Sequence, residues 1–197
     1  MLEVKDLNFS FATKVILKEI SFSLKPGEIL FVQGDNGSGK TTLLKNLTRE
    51  LRPTSGTIVH NDNFFYLAAE HNGLFLDMPA YEQLAFWAHI YKVNPDETKV
   101  SLSDWGLHDQ YLMHEIAVKK FSTGMKRKLA LARAQLSRAE LFILDEPCNG
   151  LDEKSTAQFR KWCLQTTTQR KSAFIVVSHD KTLLEGCDHN ILRLGKN

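Results

Sequence analysis

The chain has 197 residues, of which 43% are hydrophobic and 24% charged, and its formal net charge is +2 at pH 7. This length suits one domain, or one domain with a sizeable insertion, and is enough to bury a core. The charge is too small to indicate nucleic acid as a partner, and no apolar run approaches the roughly 18 residues of a membrane-spanning helix. The first residues lack the order of a signal peptide. Three widely spaced cysteines, Cys148, Cys163 and Cys187, favour a reducing compartment.

Two kinds of strand pattern are present. LEVKDLNFSF (2–11) and VILKEISFSL (15–24) alternate apolar and polar residues, and the KPG that follows predicts a turn. Three later runs, EILFVQG, LFILDE and AFIVVSH, are continuously apolar, which is typical of strands buried on both faces. Because helical patterns separate these runs, the sequence predicts an α/β fold with a mostly parallel core sheet.

Helical patterns follow the first buried run and fill a long central segment. Four leucines between Leu43 and Leu51 share one helical face, and Pro53 is expected to end that helix. From about 74 to 138, three further patterns, MPAYEQLAFWAHIY, NPDETKVSLSDWG and MKRKLALARAQLSR, indicate an inserted helical subdomain. The last of them also fits an ordinary sheet-covering helix.

All three buried runs end in polar residues: Gly34 onward, Asp145 with Glu146, and Ser178 with His179. The carboxyl ends of parallel strands meet at one edge of a sheet, where ligands of open α/β folds bind. We therefore expect the three polar segments to lie together.

The first of these segments matches the phosphate-binding loop, Gly-x4-Gly-Lys-Thr. Its glycines let backbone N–H groups turn inward, and the following helix adds the positive end of its dipole. Lys40 is placed to reach the β- and γ-phosphates, and Thr41 to offer its hydroxyl to Mg²⁺. A Gly-rich turn before a helix is the alternative, and the complete pattern makes it the weaker one. The predicted nucleotide-binding residues of the loop are Gly34, Asp35, Asn36, Gly37, Ser38, Gly39, Lys40, Thr41 and Thr42.

The other two segments supply acids and a histidine. Asp145 is expected to hold Mg²⁺, through water, and Glu146 to act as general base on a water near the γ-phosphate. A helix cap or turn acid is the alternative for both, but the phosphate loop needs an acidic metal partner. A lone histidine is more often structural, yet the position of His179 at the same edge favours a role near the γ-phosphate. The predicted catalytic residues are Glu146, His179 and Lys40, and the predicted metal ligands are Thr41 and Asp145.

The order of motifs resembles that of ABC-type ATPases over the whole chain. FSTGMKRKLALARAQL stands just before ELFILDEP, and NGLD (149–152) and SHD (178–180) follow. The resemblance implies a phosphate-loop ATPase core that carries an N-terminal antiparallel β subdomain. It divides the chain into a core with the β subdomain, 1–73 and 139–197, and a helical subdomain at about 74–138.

The resemblance also implies a homodimer that forms on ATP binding and encloses two ATP molecules with Mg²⁺. In that arrangement Ser122 and Gly124 would face the γ-phosphate bound by the partner copy. Asp152 would touch the opposite subunit, and Phe11 would stack on adenine.

Two departures from the family pattern matter. The usual LSGGQ is FSTGM here, with Thr123 and Met125 in place of a glycine and a glutamine; we expect the phosphate contact to stand. The glutamine that precedes the helical subdomain in the family is missing. His71 or Asn72 occupies about that place, and either could contact water or the metal shell.

A narrower resemblance rests on YLAAEHNGLFLDMPAYEQLAFWAHIY (66–91), on FSTGMKRKLALARAQLSRAELFILDEP (121–147) and on a length of about 200 residues. By these features, among ABC-type ATPases, the chain most resembles the ATP-binding subunits of the haem exporter of cytochrome c maturation. That resemblance implies haem-handling integral membrane permease subunits as partners, a peripheral location on the cytoplasmic face of the inner membrane, and no nucleic acid. The alternatives are a small exporter ATPase for another cargo and a soluble ABC ATPase that moves no solute. Soluble DNA-repair and chromosome ATPases of this type carry a long coiled coil between the two nucleotide motifs. The roughly 105 residues between Lys40 and Asp145 are too few for a coiled coil and a helical subdomain together, which disfavours that alternative.

Two groups of side chains allow mixed interpretations. Four aromatic residues of the central segment are expected to be mostly buried, with a few rimming a groove for the membrane subunit: Phe75, Tyr81, Phe86 and Trp87. Five basic residues are expected to form mostly a solvated helix face: Lys119, Lys120, Lys126, Arg127 and Lys128.

Overall fold

The computed structural model describes residues 2–70 and 73–195. The chain divides into two compact units, each built from separate stretches of sequence. The first comprises the chain up to Tyr66, Glu140–Glu146 and the chain from Cys163 onward; the second comprises Leu67–Ala139 and Pro147–Trp162. The predicted boundaries of the helical subdomain, near 74 and 138, stay a prediction.

Strands and helices are spread along the described chain as follows. The strands are β1 (Leu2–Phe11), β2 (Lys14–Leu24), β3 (Ile29–Gln33), β4 (Ser55–Val59), β5 (Phe64–Leu67), β6 (Leu141–Asp145), β7 (Ala173–Val177) and β8 (Asn190–Arg193). The helices are α1 (Lys40–Leu47), α2 (Ala80–Ile90), α3 (Asp96–Asp104), α4 (Gln110–Glu115), α5 (Thr123–Ser137) and α6 (Glu153–Gln169), with a 3₁₀ turn at Val118–Lys120. Within the described ranges, none of the helices combines the length and the apolar character that crossing a membrane requires.

The first unit begins with a three-stranded sheet in the order β2-β1-β4, and both pairings are antiparallel. Along β1, Leu2, Val4, Leu7 and Phe9 are buried and pack into the core. The apolar–polar alternation holds on either side of a register shift between Val4 and Leu7. The predicted N-terminal antiparallel β subdomain is confirmed.

The second sheet of this unit has the order β5-β6-β7-β3-β8, and the pairs β6–β7, β7–β3 and β3–β8 are parallel. Every residue of β6 and β7 is buried, which explains their continuous apolar runs. The register aligns the strand ends, because Asp145 lies opposite Val177 and Val177 lies opposite Val32. The chain therefore leaves β3, β6 and β7 at one edge of the sheet, as the sequence predicts.

Helix α1 is shorter than its leucine pattern predicts. It ends at Leu47, not beyond Leu51, because Arg49 has a left-handed φ of 63° and the chain turns back. The amide of Leu51 donates to the carbonyl of Lys45 at 2.9 Å. Leu51 still packs against the hydrophobic core, but from outside the helix.

The second unit is mainly helical. Helix α5 packs against α2 and α3 within this unit, so it belongs to the helical part. Its Leu129, Ala132 and Leu136 are buried, in the predicted register. The Ser101 hydroxyl on α3 donates to the carbonyl of Ala132 at 2.9 Å, which joins α3 to α5. The predicted inserted helical subdomain is confirmed as a structural class.

Candidate active site

The predicted phosphate loop connects β3 to α1 in the first unit. Gly39 precedes the helix with a φ of 93°, which favours glycine, and a Cβ there would lie 2.9 Å from the side chain of Leu17. Asp35, Asn36 and Gly37 are exposed at the tip of the loop. The loop thus presents exposed backbone at the N-terminus of a helix, where an anion is stabilised.

Lys40 folds back over this loop. Its ammonium group donates to the carbonyl oxygens of Gly34 at 2.7 Å and Asp35 at 3.0 Å. These carbonyls are neutral acceptors, and a phosphate is a stronger partner for an ammonium group. The positive charge is therefore already at the loop, where it could exchange the carbonyls for a phosphate.

Ser38 and Thr42 complete the loop and the first turn of the helix. The Ser38 side chain is buried, and its Oγ has no hydrogen-bond partner among the residues that the structure describes. Thr42 is half-buried, and its carbonyl accepts from the side-chain amide of Asn46 at 2.8 Å. Ser38 is therefore packed inside the loop, and Thr42 contributes to α1 through its backbone carbonyl.

Thr41 and Asp145 meet beside the loop. The Thr41 hydroxyl donates to Oδ2 of Asp145 at 3.0 Å, and Asp145 is only 2% exposed. Hydroxyl and carboxylate oxygens are hard donors of the kind Mg²⁺ prefers, so this pair fits the predicted metal site. Burial, and then repulsion from Asp145 and Glu50, raises the pKa of Tyr66 to about 12.

Glu146 follows directly and lies against the end of β7. Its amide donates to the Val177 carbonyl at 2.9 Å, and its φ of 49° is unusual for a residue with a side chain. The carboxylate accepts from the Ser178 hydroxyl at 3.0 Å and from the His179 amide at 2.9 Å. Nδ1 of His179 lies 3.0 Å from Oε2 of Glu146, so a donating Nδ1–H completes the set when the carboxylate is ionised.

A cavity of about 430 Å³ lies beside the loop in the first unit, lined in part by Gly34, Ser178 and His179. Its lining also includes Lys181 and Arg193. Asp35 is the acidic residue of the lining, so basic side chains outnumber acidic ones by one, which favours an anionic occupant.

Phe11 is at the end of β1 in the first unit. The residue is 53% exposed, and its ring packs edge-on against Phe9, with ring centroids 4.8 Å apart. An exposed aromatic face of this kind is available for stacking on a flat ligand.

Ser122 and Gly124 lie at the start of α5 in the second unit. Ser122 caps the helix, because its Oγ accepts from the Met125 amide at 3.2 Å. A Cβ on Gly124 would lie 2.8 Å from the Gly150 carbonyl oxygen. Packing within the chain therefore favours glycine at position 124, and the motif alone does not reveal this requirement.

Asp152 caps α6 and pairs with α5. Its Oδ1 accepts from the amide and hydroxyl of Ser155, at 2.8 and 2.7 Å, and Lys128 Nζ lies 3.1 Å from its Oδ2. The Ser155 hydrogen bonds, followed by those of Lys128, lower the pKa of Asp152 to about 2. The side chain is nevertheless largely exposed, so one face stays open to a partner.

Arg127 departs from the expected solvated basic face. It is 3% exposed, and its guanidinium donates to the carbonyls of Ala68 and Ala69. Arg127 stands three residues before Ala130 and four before Leu131, so it shares the apolar face of α5 with them. This spacing could have predicted that Arg127 is buried. Lys119, by contrast, makes an exposed ion pair with Asp77 at 2.7 Å.

Three of the four central aromatic residues, Phe75, Phe86 and Trp87, form a partly open cluster in the second unit. Trp87 stacks on Phe75 at 5.9 Å between ring centroids, and Phe75 and Phe86 are 41% and 44% exposed. The guanidinium of Arg133 lies 4.8 Å from the Trp87 ring centroid. Tyr81 instead contacts the ring of His114 at 4.4 Å.

The predicted site residues thus fall into two sets. The first unit brings together the phosphate loop, Thr41, Asp145, Glu146 and His179, with Phe11 in the same unit. The second unit holds Ser122, Gly124 and Asp152. His71 and Asn72, the candidates for the missing glutamine, lie outside the described residues.

A phosphate loop between a buried strand and a helix, with an acidic strand end hydrogen-bonded to its threonine, defines a phosphate-loop nucleotide-binding protein. The profile of the ABC transporter family matches residues 17–149. The chain belongs to this family. It is an ATP-binding subunit, an ATPase that couples ATP hydrolysis to transport.

The similar proteins are named for different transported cargoes. The cytochrome c biogenesis ATP-binding export protein CcmA of Ruegeria sp. (strain TM1040) is 33% identical over 195 residues, 99% of this chain and 91% of that protein. The zinc import ATP-binding protein ZnuC of Histophilus somni (strain 129Pt) is 31% identical over 198 residues, 98% of this chain and 72% of that protein.

Among solved structures, a dimeric ATP-binding cassette in a post-hydrolysis state, bound to ADP and Pi, matches with a TM-score of 0.83. The match covers 98% of this chain and 94% of that chain. At 20% identity it shows the shared fold alone.

Proposed function

We propose that this chain is the ATP-hydrolysing subunit of a haem exporter of the cytochrome c maturation type. The observation that carries the proposal is the relative named as a cytochrome c biogenesis export protein, because the match spans 91% of its length. The match to the relative named for zinc import covers only 72% of that protein, so it agrees less well with the length of this chain.

In the proposed mechanism ATP binds first to the phosphate loop of one copy. Lys40 exchanges its carbonyl partners, Gly34 and Asp35, for the β- and γ-phosphates, and backbone N–H groups at the start of α1 surround the same oxygens. Phe11, already exposed on one face, stacks on adenine.

Mg²⁺ would be held by Thr41 and Asp145, whose oxygen atoms are 3.0 Å apart. When bound, it neutralises charge on the β- and γ-phosphates during transfer. The Asp145 side chain is buried beside the loop and would supply a carboxylate ligand to the site.

Glu146 then orients a water molecule for attack on the γ-phosphorus and accepts its proton. Three donors, from Ser178 and the amide and ring of His179, keep its carboxylate turned toward the end of β7. His179 is the donor with the exposed side chain, so its ring is free to turn toward a phosphate.

A second copy completes each site. Ser122 and Gly124 of that copy would face the γ-phosphate, and Asp152 would touch the opposite subunit. The solved structure with the same fold is described as a dimer, which supports the proposal of a dimer. The ATP-bound dimer would sit on the cytoplasmic face of the inner membrane, against permease subunits that handle haem.

The proposal is tested by capturing the membrane partners. Tagged Glu146→Gln, which should hold ATP without cleaving it, is expressed in the source cell. It is then recovered from detergent-solubilised membranes with Mg-ATP and analysed by mass spectrometry. The matched control is Glu140→Gln, because Glu140 is an exposed carboxylate just before the opposite end of β6.

Haem-handling membrane proteins enriched by Glu146→Gln over the control would support the proposed cargo. Recovery of a zinc-import permease, as the name of the second relative suggests, would change the proposed cargo and leave the assignment as a transport ATPase in place. Recovery of soluble partners alone would overturn the transporter assignment.

A further inference from the structure

The carboxylate of Glu146 is held by more than the histidine. Ser178 donates its hydroxyl to Oε2 at 3.0 Å, and this serine is only 6% exposed. The two residues are brought together by sheet order, since β6 and β7 are parallel neighbours whose last residues, Asp145 and Val177, lie opposite each other.

The direction of the Ser178 hydroxyl is fixed by its other neighbour. The amide of Asp180 donates to Ser178 Oγ at 3.1 Å. Because that N–H occupies a lone pair of the oxygen, the hydroxyl hydrogen is left to point at Glu146. A donor aligned in advance costs little reorganisation when the carboxylate acts.

The two side-chain donors on the carboxylate differ in exposure. The His179 side chain is 71% exposed, whereas Ser178 is buried. If the imidazole turns to a phosphate, the carboxylate keeps the Ser178 hydroxyl and the backbone amide of His179. Those two donors must then hold Glu146, whose left-handed φ of 49° carries a conformational cost.

We infer that Ser178 is a positioning residue for the hydrolytic step: its hydroxyl holds the Glu146 carboxylate in the orientation in which it accepts the proton of the attacking water. The inference rests on the proposed role of Glu146 as base. It is independent of cargo, because every group involved lies in the first unit of this chain.

The test measures steady-state Mg-ATP hydrolysis of the full chain and ATP affinity in the same preparations. Ser178→Ala should lower kcat roughly 10-fold to 100-fold, as expected for one hydrogen bond to a charged group, and leave KM within about twofold. Ser178→Thr keeps the hydroxyl and should stay within about threefold of wild-type kcat. Ser172→Ala is the matched control, since Ser172 is also buried and stands just before the other end of β7.

A second arm asks whether Ser178 acts through Glu146. In a Glu146→Ala background, single-turnover hydrolysis should change by less than about twofold on adding Ser178→Ala, because the positioned group is gone. An additional loss as large as in the wild type would overturn the inference. If Ser178→Ala is not recovered folded, Ser178→Cys takes its place with the same expected loss, because a thiol is a weak donor.

The remaining outcomes separate the two levels of the proposal. Unchanged kcat in Ser178→Ala, with Glu146→Gln inactive, would overturn the role of Ser178 and leave Glu146 as base. Equal losses in Ser178→Ala and Ser178→Thr, with lowered Tm, would show a merely structural serine. Wild-type activity in Glu146→Gln would overturn the proposed base itself.

Discussion

The Thr41 hydroxyl donates to the Asp145 carboxylate at 3.0 Å, joining the first helix to a strand end 104 residues later in the chain. If this pair holds Mg²⁺, Asp145→Asn should raise the Mg²⁺ concentration for half-maximal hydrolysis by roughly 10-fold or more, because it removes the charge of the ligand. Thr41→Ser should behave as wild type. Magnesium titration of ATPase activity checks both, and an unchanged midpoint in Asp145→Asn would contradict the assignment.

Lys40 should control nucleotide affinity. Its ammonium group already contacts two loop carbonyls, so Lys40→Ala removes a charge that is placed beside the expected phosphates. We expect ATP affinity to fall roughly 10-fold to 100-fold, the scale of a hydrogen bond between charged groups. Lys45→Ala is the control, since Lys45 lies in the last turn of the same helix. Equal binding by both variants in fluorescence titration would contradict the role of Lys40.

Asp152 should give the fold a pH dependence in acid. Its pKa is lowered from 3.8 to about 2, so the charged carboxylate stabilises the folded chain above pH 4 and that contribution is lost as pH falls toward 2. The Tm difference between wild type and Asp152→Asn, measured without nucleotide, should be constant from pH 7 to about pH 4 and shrink below it. A difference that grows on acidification would have the wrong sign.

Arg127 should contribute to the stability of the fold, because its side chain is buried and does not form part of the charged surface. Arg127→Met leaves the Ala68 and Ala69 carbonyls without their guanidinium donor, at a cost of about 1–3 kcal/mol. For a chain of this size each kcal/mol lowers Tm by about 2–4 °C. The control Lys126→Met changes the neighbouring, more exposed side chain and should shift Tm by less than about 1 °C. Similar Tm values for the two variants would contradict the burial of Arg127.

Local patterns predict the parts of this fold that depend on local physics. Continuous apolar runs predict β3, β6 and β7, because a strand that is buried on both faces carries apolar side chains on both. The phosphate loop is predictable for a similar reason, since a backbone anion site requires glycines at fixed positions next to a helix start. The meeting of Thr41 with Asp145 then follows from the shared edge of a parallel sheet.

Sequence patterns do not predict the features that depend on strand order or on packing between distant residues. The sequence predicts that Ser178 and Glu146 lie at the same edge of the sheet. Their direct hydrogen bond also requires β6 and β7 to be neighbours, and neither strand's sequence specifies that order. The motif suggests a phosphate contact for Gly124, while the structure adds a close approach to the Gly150 carbonyl. The leucine pattern continues past Leu47, but the left-handed Arg49 ends α1 there.

The most direct test of the account is Mg-ATP hydrolysis by the full chain beside its Glu146→Gln variant, with Mg-ATP binding and oligomeric state measured in parallel. We predict that the variant binds Mg-ATP as wild type does and runs as a dimer with it. Its kcat should fall by roughly 10² to 10⁴, the contribution of a general base. A variant that hydrolyses ATP at the wild-type rate would contradict the assignment of Glu146 as the base at this site.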